Sequence, residues 1–382
     1  MRNLKEQNWN GTPTPFYYYD LDLLKQTLET ASTEAAKYGY HIHYALKANS
    51  NEPILKLIQQ YGLGADCVSG NEIKQALANG FEASQVVFAG VGKSDAEIKI
   101  ALNADIFCFN CESVQELEVL NELAQQHNQT ARIALRINPN VNANTHKYIT
   151  TGLEENKFGI NTWELPEVLN LLKQLPNLEL IGIHFHIGSQ ITDLQVFEQL
   201  CVRVNEIQQG FRDQGYHLKH LNVGGGLGVD YYEPESNAIP DFAAYFAIFN
   251  RLLQVQPGQV VHYELGRALV AQCGTLVSRV LYIKKGQKKN FAILDAGMTE
   301  LIRPMLYQAY HKIENLSSHL PEQTYDVVGP ICESSDCFAQ NVPLPETHRH
   351  DVMAIRTAGA YAEVMASNYN LREKAVAIYS SN

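Results

Sequence analysis

Three short segments put chemistry-bearing side chains at the ends of apolar runs. In YHIHYALKANSN (40–51), Lys47 stands at even spacing from His43 and Ala45, so strand alternation predicts that all three share one face. A lysine there reads as a solvated rim cation in an ion pair, or as an amine desolvated until partly neutral, ready to attack a carbonyl and form a Schiff base. In LKHLNVGGGLG (218–228), Gly224, Gly225 and Gly226 carry no Cβ, so their N–H groups can close on an anion; a tight turn is the plainer reading. In VVHYELGRA (260–268), Glu264 and Arg267 bracket Gly266 and offer a carboxylate and a guanidinium, or simply a rim salt bridge. An amine for an aldehyde, a glycine nest for a phosphate and a carboxylate for a protonated ring nitrogen are what pyridoxal 5'-phosphate (PLP) requires. The carboxylate matters most electronically, since a charge-assisted bond of this kind is worth about 1.5–3 kcal/mol. In IHFHIGSQ (183–190), His184 and His186 fall on one face. His186 suits stacking on the cofactor ring and Ser189 suits donation to its phosphate, whereas His184 reads as a core histidine.

These ends need a frame that gathers them. Eight β-branched or aromatic runs recur, at 40–47, 63–68, 85–90, 105–110, 131–138, 180–186, 218–224 and 260–265, with helical spacing at 51–60, 72–78, 112–126 and 197–213 between them. Eight βα units in about 230 residues predict an α/β fold with a closed (β/α)8 TIM-type barrel, whose catalytic groups sit at the C-terminal strand ends and whose phosphate site follows strands seven and eight. A doubly wound sheet is the rival, but no G-x-G-x-x-G follows the first strand. After Gly266 the chain alternates in short strands with Gly- or Lys-rich turns, which predicts a β-rich domain, and PFYYYDLDLL (15–24) is strand-like enough to pair with it. The expected division is a barrel over 22–268 and a β-rich domain over 1–21 and 269–382.

Composition narrows the partner. With 382 residues, 45% of them hydrophobic, the chain builds a large core, which excludes a disordered or disulfide-stapled miniature. Thirty Lys and Arg against 41 Asp and Glu give a net charge of -11, which argues against nucleic acid or anionic membrane and for a small molecule. Seven scattered cysteines suit a reducing compartment, and the opening MRNLKEQNWN has no apolar h-region, so a soluble cytoplasmic protein is expected. Cys108 and Cys111 form a C-x-x-C with no second pair at zinc spacing, so metal or redox function is set aside. His41 and His43, with His184 and His186, raise a metal-dependent amidohydrolase as a different class; that reading lacks an Asp closing the last strand and leaves the glycine nest unexplained.

Taken in order and spacing, YALKAN, FHIGSQ, NVGGGLG, ELGR and PICESSD resemble the diaminopimelate decarboxylase family, carboxy-lyases built on the PLP-binding barrel of the alanine racemase type. The resemblance covers nearly the whole chain and includes the loop NPNVNANTHKYITTGLEENKFGI (138–160). It implies a barrel plus a C-terminal β-rich domain, a homodimer with shared active sites, and decarboxylation of meso-2,6-diaminopimelate to L-lysine, the last step of lysine biosynthesis. It makes Lys47 the Schiff-base lysine and His186 the ring-stacking histidine; Gly224, Gly225 and Gly226 would hold the phosphate and Glu264 the ring nitrogen, with Gly266 and Arg267 also among the cofactor-binding residues. Arg267, Arg303, Tyr307, Glu333 and Tyr361 match its substrate-binding positions, with Tyr361 also near the phosphate. Cys332 and Glu333 would serve the other subunit's site. Arginine forks suit a zwitterionic tail, and Glu333 would accept from its ammonium. Lys47 or Cys332 would return the proton to carbon, with a buried inert cysteine as the alternative. One departure is Leu265, where the family has proline in E-P-G-R. Non-catalytic PLP-binding proteins share the barrel but are usually single-domain.

Overall fold

The structure, a computed structural model, describes residues 4–7, 9, 11–142 and 157–380. Residues 143–156 of the loop that carries part of the resemblance lie outside the described residues.

After β1 (Phe16–Tyr19) and α1 (Leu21–Ala36), strands and helices alternate: β2 (His41–Ala45), α2 (Glu52–Gln60), β3 (Gly64–Cys67), α3 (Gly70–Ala78), β4 (Val86–Phe88), α4 (Asp95–Asn103), β5 (Cys108–Cys111), α5 (Val114–Gln126) and β6 (Ala131–Asn138). A two-residue β7 (Ile160–Asn161) pairs with the end of β6, and then come α6 (Leu165–Leu172), β8 (Leu178–His184), α7 (Gln195–Asp213), β9 (His220–Asn222), α8 (Phe242–Leu252) and β10 (Val260–Leu265). Neighbours pair in parallel in the order β5-β4-β3-β2-β10-β9-β8-β6, and β5 pairs β6 to close the ring. Eight parallel strands with no free edge are the expected barrel.

Local chemistry sets the helix starts. Ser69 accepts from the Glu72 N–H (3.2 Å), and Glu72 reaches back to the Val68 N–H (2.7 Å), so α3 opens on a reciprocal cap. Spacing predicts a helix from Glu112, but α5 begins at Val114 because Ser113 caps it, accepting from the Glu116 N–H (3.2 Å). Glu112 is thereby released for another task. Outside the barrel strands, Tyr263 of β10 packs edge-on against Phe246 and Phe249 of α8, at 4.9 and 5.1 Å between ring centres. Such pairs add about 0.5–1.5 kcal/mol each beyond their buried area.

The chain falls into two compact units, one of Leu28–Gly228 with Asp241–Gly266, the other of Met1–Thr27, Val229–Pro240 and Arg267–Asn382. The second unit holds α9 (Arg267–Val270), β11 (Gly274–Lys285), β12 (Asn290–Leu294), α10 (Arg303–Tyr307), β13 (Ile313–Asn315), β14 (Glu322–Val328), β15 (Cys337–Pro345), β16 (Val352–Ile355) and β17 (Val376–Tyr379). Its sheet runs β13-β16-β11-β12-β14-β15, with β1 antiparallel to β11 and parallel to β17. All four residues of β1 are buried, with Phe16 and Tyr18 packed on Trp9, Val277 and Val352.

Candidate active site

Lys47 does not lie on a strand. β2 ends at Ala45, and a single 3₁₀ turn, Leu46–Ala48, carries the lysine, so strand alternation does not place it. Its Nζ is 3.1 Å from Oδ2 of Asp66, a β3 residue in register with Ala45. Asp66 is fully buried while the lysine side chain is 37% exposed, which leaves the amine reachable from solvent. Burial first, and then the Glu264 charge, push the Asp66 carboxyl up to about 6 against the pull of Lys47. Asp66 Oδ1 is buried with no hydrogen-bond partner among the described residues.

Glu264 is the hub of the upper barrel interior. Its Oε1 accepts from Asn110 Nδ2 (3.0 Å, β5) and Asn222 Nδ2 (2.7 Å, β9), and its Oε2 lies 2.9 Å from His184 Nε2 (β8). Burial raises the carboxyl, but the contact with His184, reinforced by Lys47 and His186, outweighs it and holds Glu264 well below the ordinary carboxylate range. His184 is buried, as a core histidine is, and its bond goes to Glu264. Its Nδ1 has no partner among the described residues.

His186 follows the end of β8, half-buried, its pKa pushed well down by burial and then by Arg136 and Lys47, so the ring is neutral. The glycines answer a steric demand. Gly224 has φ +72°, and a Cβ there would sit 2.1 Å from Phe185 O; one on Gly225 would sit 1.9 Å from Glu264 O. The Gly224 N–H donates to Asn222 Oδ1 (2.9 Å), and the Gly225 N–H makes a long 3.4 Å contact with His186 Nδ1. Gly226 O accepts from the Ile191 N–H (2.8 Å), which ties the turn to the loop bearing half-buried Ser189.

Sequence reasoning missed a second buried pair. Arg136 donates to Glu112 Oε1 (2.7 Å), whose two oxygens also take the N–H groups of Gly90 (3.0 Å) and Gly159 (3.1 Å). The two H-x-H pairs are parted. His184 serves Glu264, whereas His43 joins a chain lower in the barrel: Nδ1 to Gln85 O, Nε2 to His262 Nδ1, and His262 Nε2 to His220 Nδ1, each 3.0 Å. Those nitrogens are engaged with one another rather than aimed at one point. Cys108 and Cys111 are free and buried, with burial pushing both thiols up, which suits packing and not reactivity. Leu265 is also buried, at 1% exposure.

In the other unit two guanidiniums stand among tyrosines. Arg267, 4% exposed, donates from Nη1 to Tyr231 Oη (2.6 Å) and lies 4.8 Å over the Tyr361 ring. Arg303, 5% exposed at the start of α10, lies 5.5 Å over Tyr231 and 5.8 Å over Tyr307. Burial, and after it the nearby Arg267, pull the Arg303 pKa down, and no carboxylate lies within ion-pair distance of Arg303 among the described residues. A buried guanidinium with its charge set among aromatic faces is costly unless an anion can pair with it. Tyr361 holds φ +56°, a strained backbone for an aromatic residue. Cys332 and Glu333 are exposed; the Cys332 N–H donates to Asn370 Oδ1 (3.2 Å), and Tyr369 Oη donates to Glu333 Oε1 (2.9 Å). Among the described residues no helix is long and apolar enough to cross a membrane.

Comparison with known proteins adds to this geometry. Residues 21–271 match the family model of the pyridoxal-dependent decarboxylase pyridoxal binding domain. The chain is 55% identical to the diaminopimelate decarboxylase of Bacteroides thetaiotaomicron over 94% of each protein. Its fold superposes on the crystal structure of diaminopimelate decarboxylase from Helicobacter pylori complexed with L-lysine with a TM-score of 0.92 at 41% identity, covering 98% of this chain and 93% of that one. The M. jannaschii enzyme in co-complex with L-lysine matches at 0.88 and 33% identity, over 96% of this chain and 87% of that one.

Proposed function

The chain belongs to the diaminopimelate decarboxylase family of pyridoxal-dependent decarboxylases, and from that premise we infer that it converts meso-2,6-diaminopimelate to L-lysine and CO2 with PLP as cofactor, the last step of lysine biosynthesis. The observation that carries this reading is Glu264: a buried carboxylate, bonded through both oxygens and held ionised, at the same barrel end as a solvent-reachable lysine.

The donor set suits PLP. Lys47 would offer the amine for its aldehyde, His186 a neutral ring to stack, Gly224, Gly225, Gly226 and Ser189 the setting for its phosphate, with Tyr361 also near the phosphate. Glu264 would keep a proton on its ring nitrogen. When bound, PLP supplies an electron sink for the pair left behind as the carboxylate departs as CO2. The protein's own part is orientation and proton supply. Asp66 holds the Lys47 ammonium while the amine waits. Arg303 and Arg267, with Tyr307 and Tyr361, take the far carboxylate of the substrate, Glu333 its far ammonium, and Lys47 or Cys332 returns one proton to the carbon that lost CO2. Gly266 and Arg267 would also touch the cofactor. Cys332 and Glu333 act in the site of a second copy, so the working species is a homodimer, and free cysteines suit a cytoplasmic setting.

The test follows the visible spectrum and CO2 release of PLP-loaded protein given meso-diaminopimelate, L-ornithine and L-lysine in turn. Gas should evolve with diaminopimelate alone, and Lys47→Ala should lose the visible band of the loaded protein. Release from ornithine but not diaminopimelate would overturn the substrate, and an unchanged band would remove Lys47 from its role.

A further inference from the structure

Behind Arg303 stands His311, 3% exposed and outside every role assigned above. Its Nδ1 lies 2.8 Å from the backbone oxygen of Arg356, and its Nε2 lies 3.3 Å from Arg303 Nε. A carbonyl oxygen only accepts and a guanidinium N–H only donates, so both bonds exist together in one form alone: the neutral ring with its proton on Nδ1 and its lone pair on Nε2. Burial and the Arg303 charge favour that form, pulling the histidine's pKa down to about 3. The ring is braced as well, since the Arg356 N–H donates to Lys312 O (2.9 Å) and Tyr231 packs edge-on at 5.0 Å.

We infer that His311 is a positioning residue for substrate selection: by taking the Nε–H of Arg303 it fixes the guanidinium so that its two terminal nitrogens, and not its Nε edge, are presented to the far carboxylate. A guanidinium can grip a carboxylate through Nε and one terminal nitrogen or through both terminal nitrogens. With Nε engaged, only the second grip remains, and the Tyr231 and Tyr307 rings restrict rotation out of it. The histidine thus chooses the direction from which a zwitterionic tail enters. This inference rests on the reading of Arg303 as the carboxylate holder.

L-lysine keeps the far carboxylate and cadaverine is the same chain without it, so binding of the two to PLP-loaded protein, measured by calorimetry, isolates this contact. His311→Asn keeps an amide near Nδ1 but no acceptor that reaches Arg303; His311→Gln carries a carbonyl out to the Nε2 position. The expected result is L-lysine weakened by on the order of tenfold in H311N with cadaverine unchanged, and most of the loss recovered in H311Q. KM for diaminopimelate should rise in H311N with kcat nearly unchanged. Equal losses in both variants, or none in H311N, would overturn the inference. Arg303→Ala separates the two layers: if it leaves the preference for L-lysine over cadaverine intact, the role of Arg303 itself fails; if it abolishes that preference while H311N leaves it unchanged, only His311 fails. Nitrogen NMR of the unaltered protein tests the same point without a variant, since a His311 ring protonated on Nε2 at neutral pH contradicts the geometry.

Discussion

Burying an ionised carboxylate costs several kcal/mol unless its oxygens are bonded, and at Glu264 two asparagines and a histidine from three different strands do that bonding. Nothing in packing alone asks for such an arrangement in a barrel interior, where aliphatic layers are the rule. On the proposed function, it would keep a negative charge beside the ring nitrogen of the cofactor and so hold that nitrogen protonated. Glu264→Gln keeps the shape and removes the charge. It should lower kcat roughly 10- to 100-fold, equivalent to about 1.5–3 kcal/mol, while PLP still binds, as read by absorbance titration against CO2 release. A variant with unchanged kcat would show that the ring nitrogen does not depend on this side chain. His184, bonded to the same carboxylate, was hidden from sequence reasoning because a histidine near the end of an apolar strand has the same pattern whether it serves the core or the site.

Along the strands, interior residues come in layers two apart. Glu264 and His262 share β10, and Asn222 and His220 share β9, so the polar upper layer rests on the chain Gln85 O, His43, His262, His220. Because Gln85 O only accepts, His43 and His262 must each be neutral, donating from Nδ1 and accepting at Nε2, with His220 donating into the end of the chain, and a proton added to His262 breaks a link. Burial first, then the neighbouring histidines for His262, hold His43 down at about 4 and His262 at about 2. Unfolded, the same rings titrate near 6.5, so the unfolded chain binds more protons below that pH, and the stability present above it is lost as pH falls toward the folded values. A cavity of about 570 Å³ lined by His41, His43 and His220 lets water reach them. By pH 5 the loss should be about 2 kcal/mol per buried imidazole, seen as a falling urea midpoint between pH 6.5 and 5, and His262→Phe should flatten that slope. An equal slope in both proteins would place the acid sensitivity elsewhere. Much of this frame was legible beforehand: the eight runs, most of the helix spans and the strand that ends on Glu264 emerge from periodicity. What was not legible has a common cause. Asp66, Asn110 and Asn222 sit inside short apolar runs, and only barrel closure, which joins β5 to β6 and β2 to β10, turns them into one cluster. Lys47 failed the alternation argument for a local reason, since the strand ends two residues before it.

For the molecule as a whole, the pattern of exposure around Cys332 is the informative feature. Asn370 and Tyr369 hold the Cys332–Glu333 segment, and Leu371 beside them is 92% exposed, with Tyr369 at 48%. If Cys332 and Glu333 act in the site of a second copy, as proposed, the bared Leu371 beside them would be covered in that pairing. If Cys332 serves the site of a second copy while Lys47 serves its own, mixing Lys47→Ala with Cys332→Ala chains creates, in each heterodimer, one site with both residues intact and one with neither. Random equimolar pairing makes half the dimers mixed, so recovered activity should approach about a quarter of the unaltered protein's, from two parents that are each nearly inactive. The recovery should grow with time at the rate of subunit exchange and vanish when the chains are crosslinked before mixing. Two inactive parents that stay inactive after full exchange would mean that each copy completes its own site, and the bared Leu371 would then need another partner.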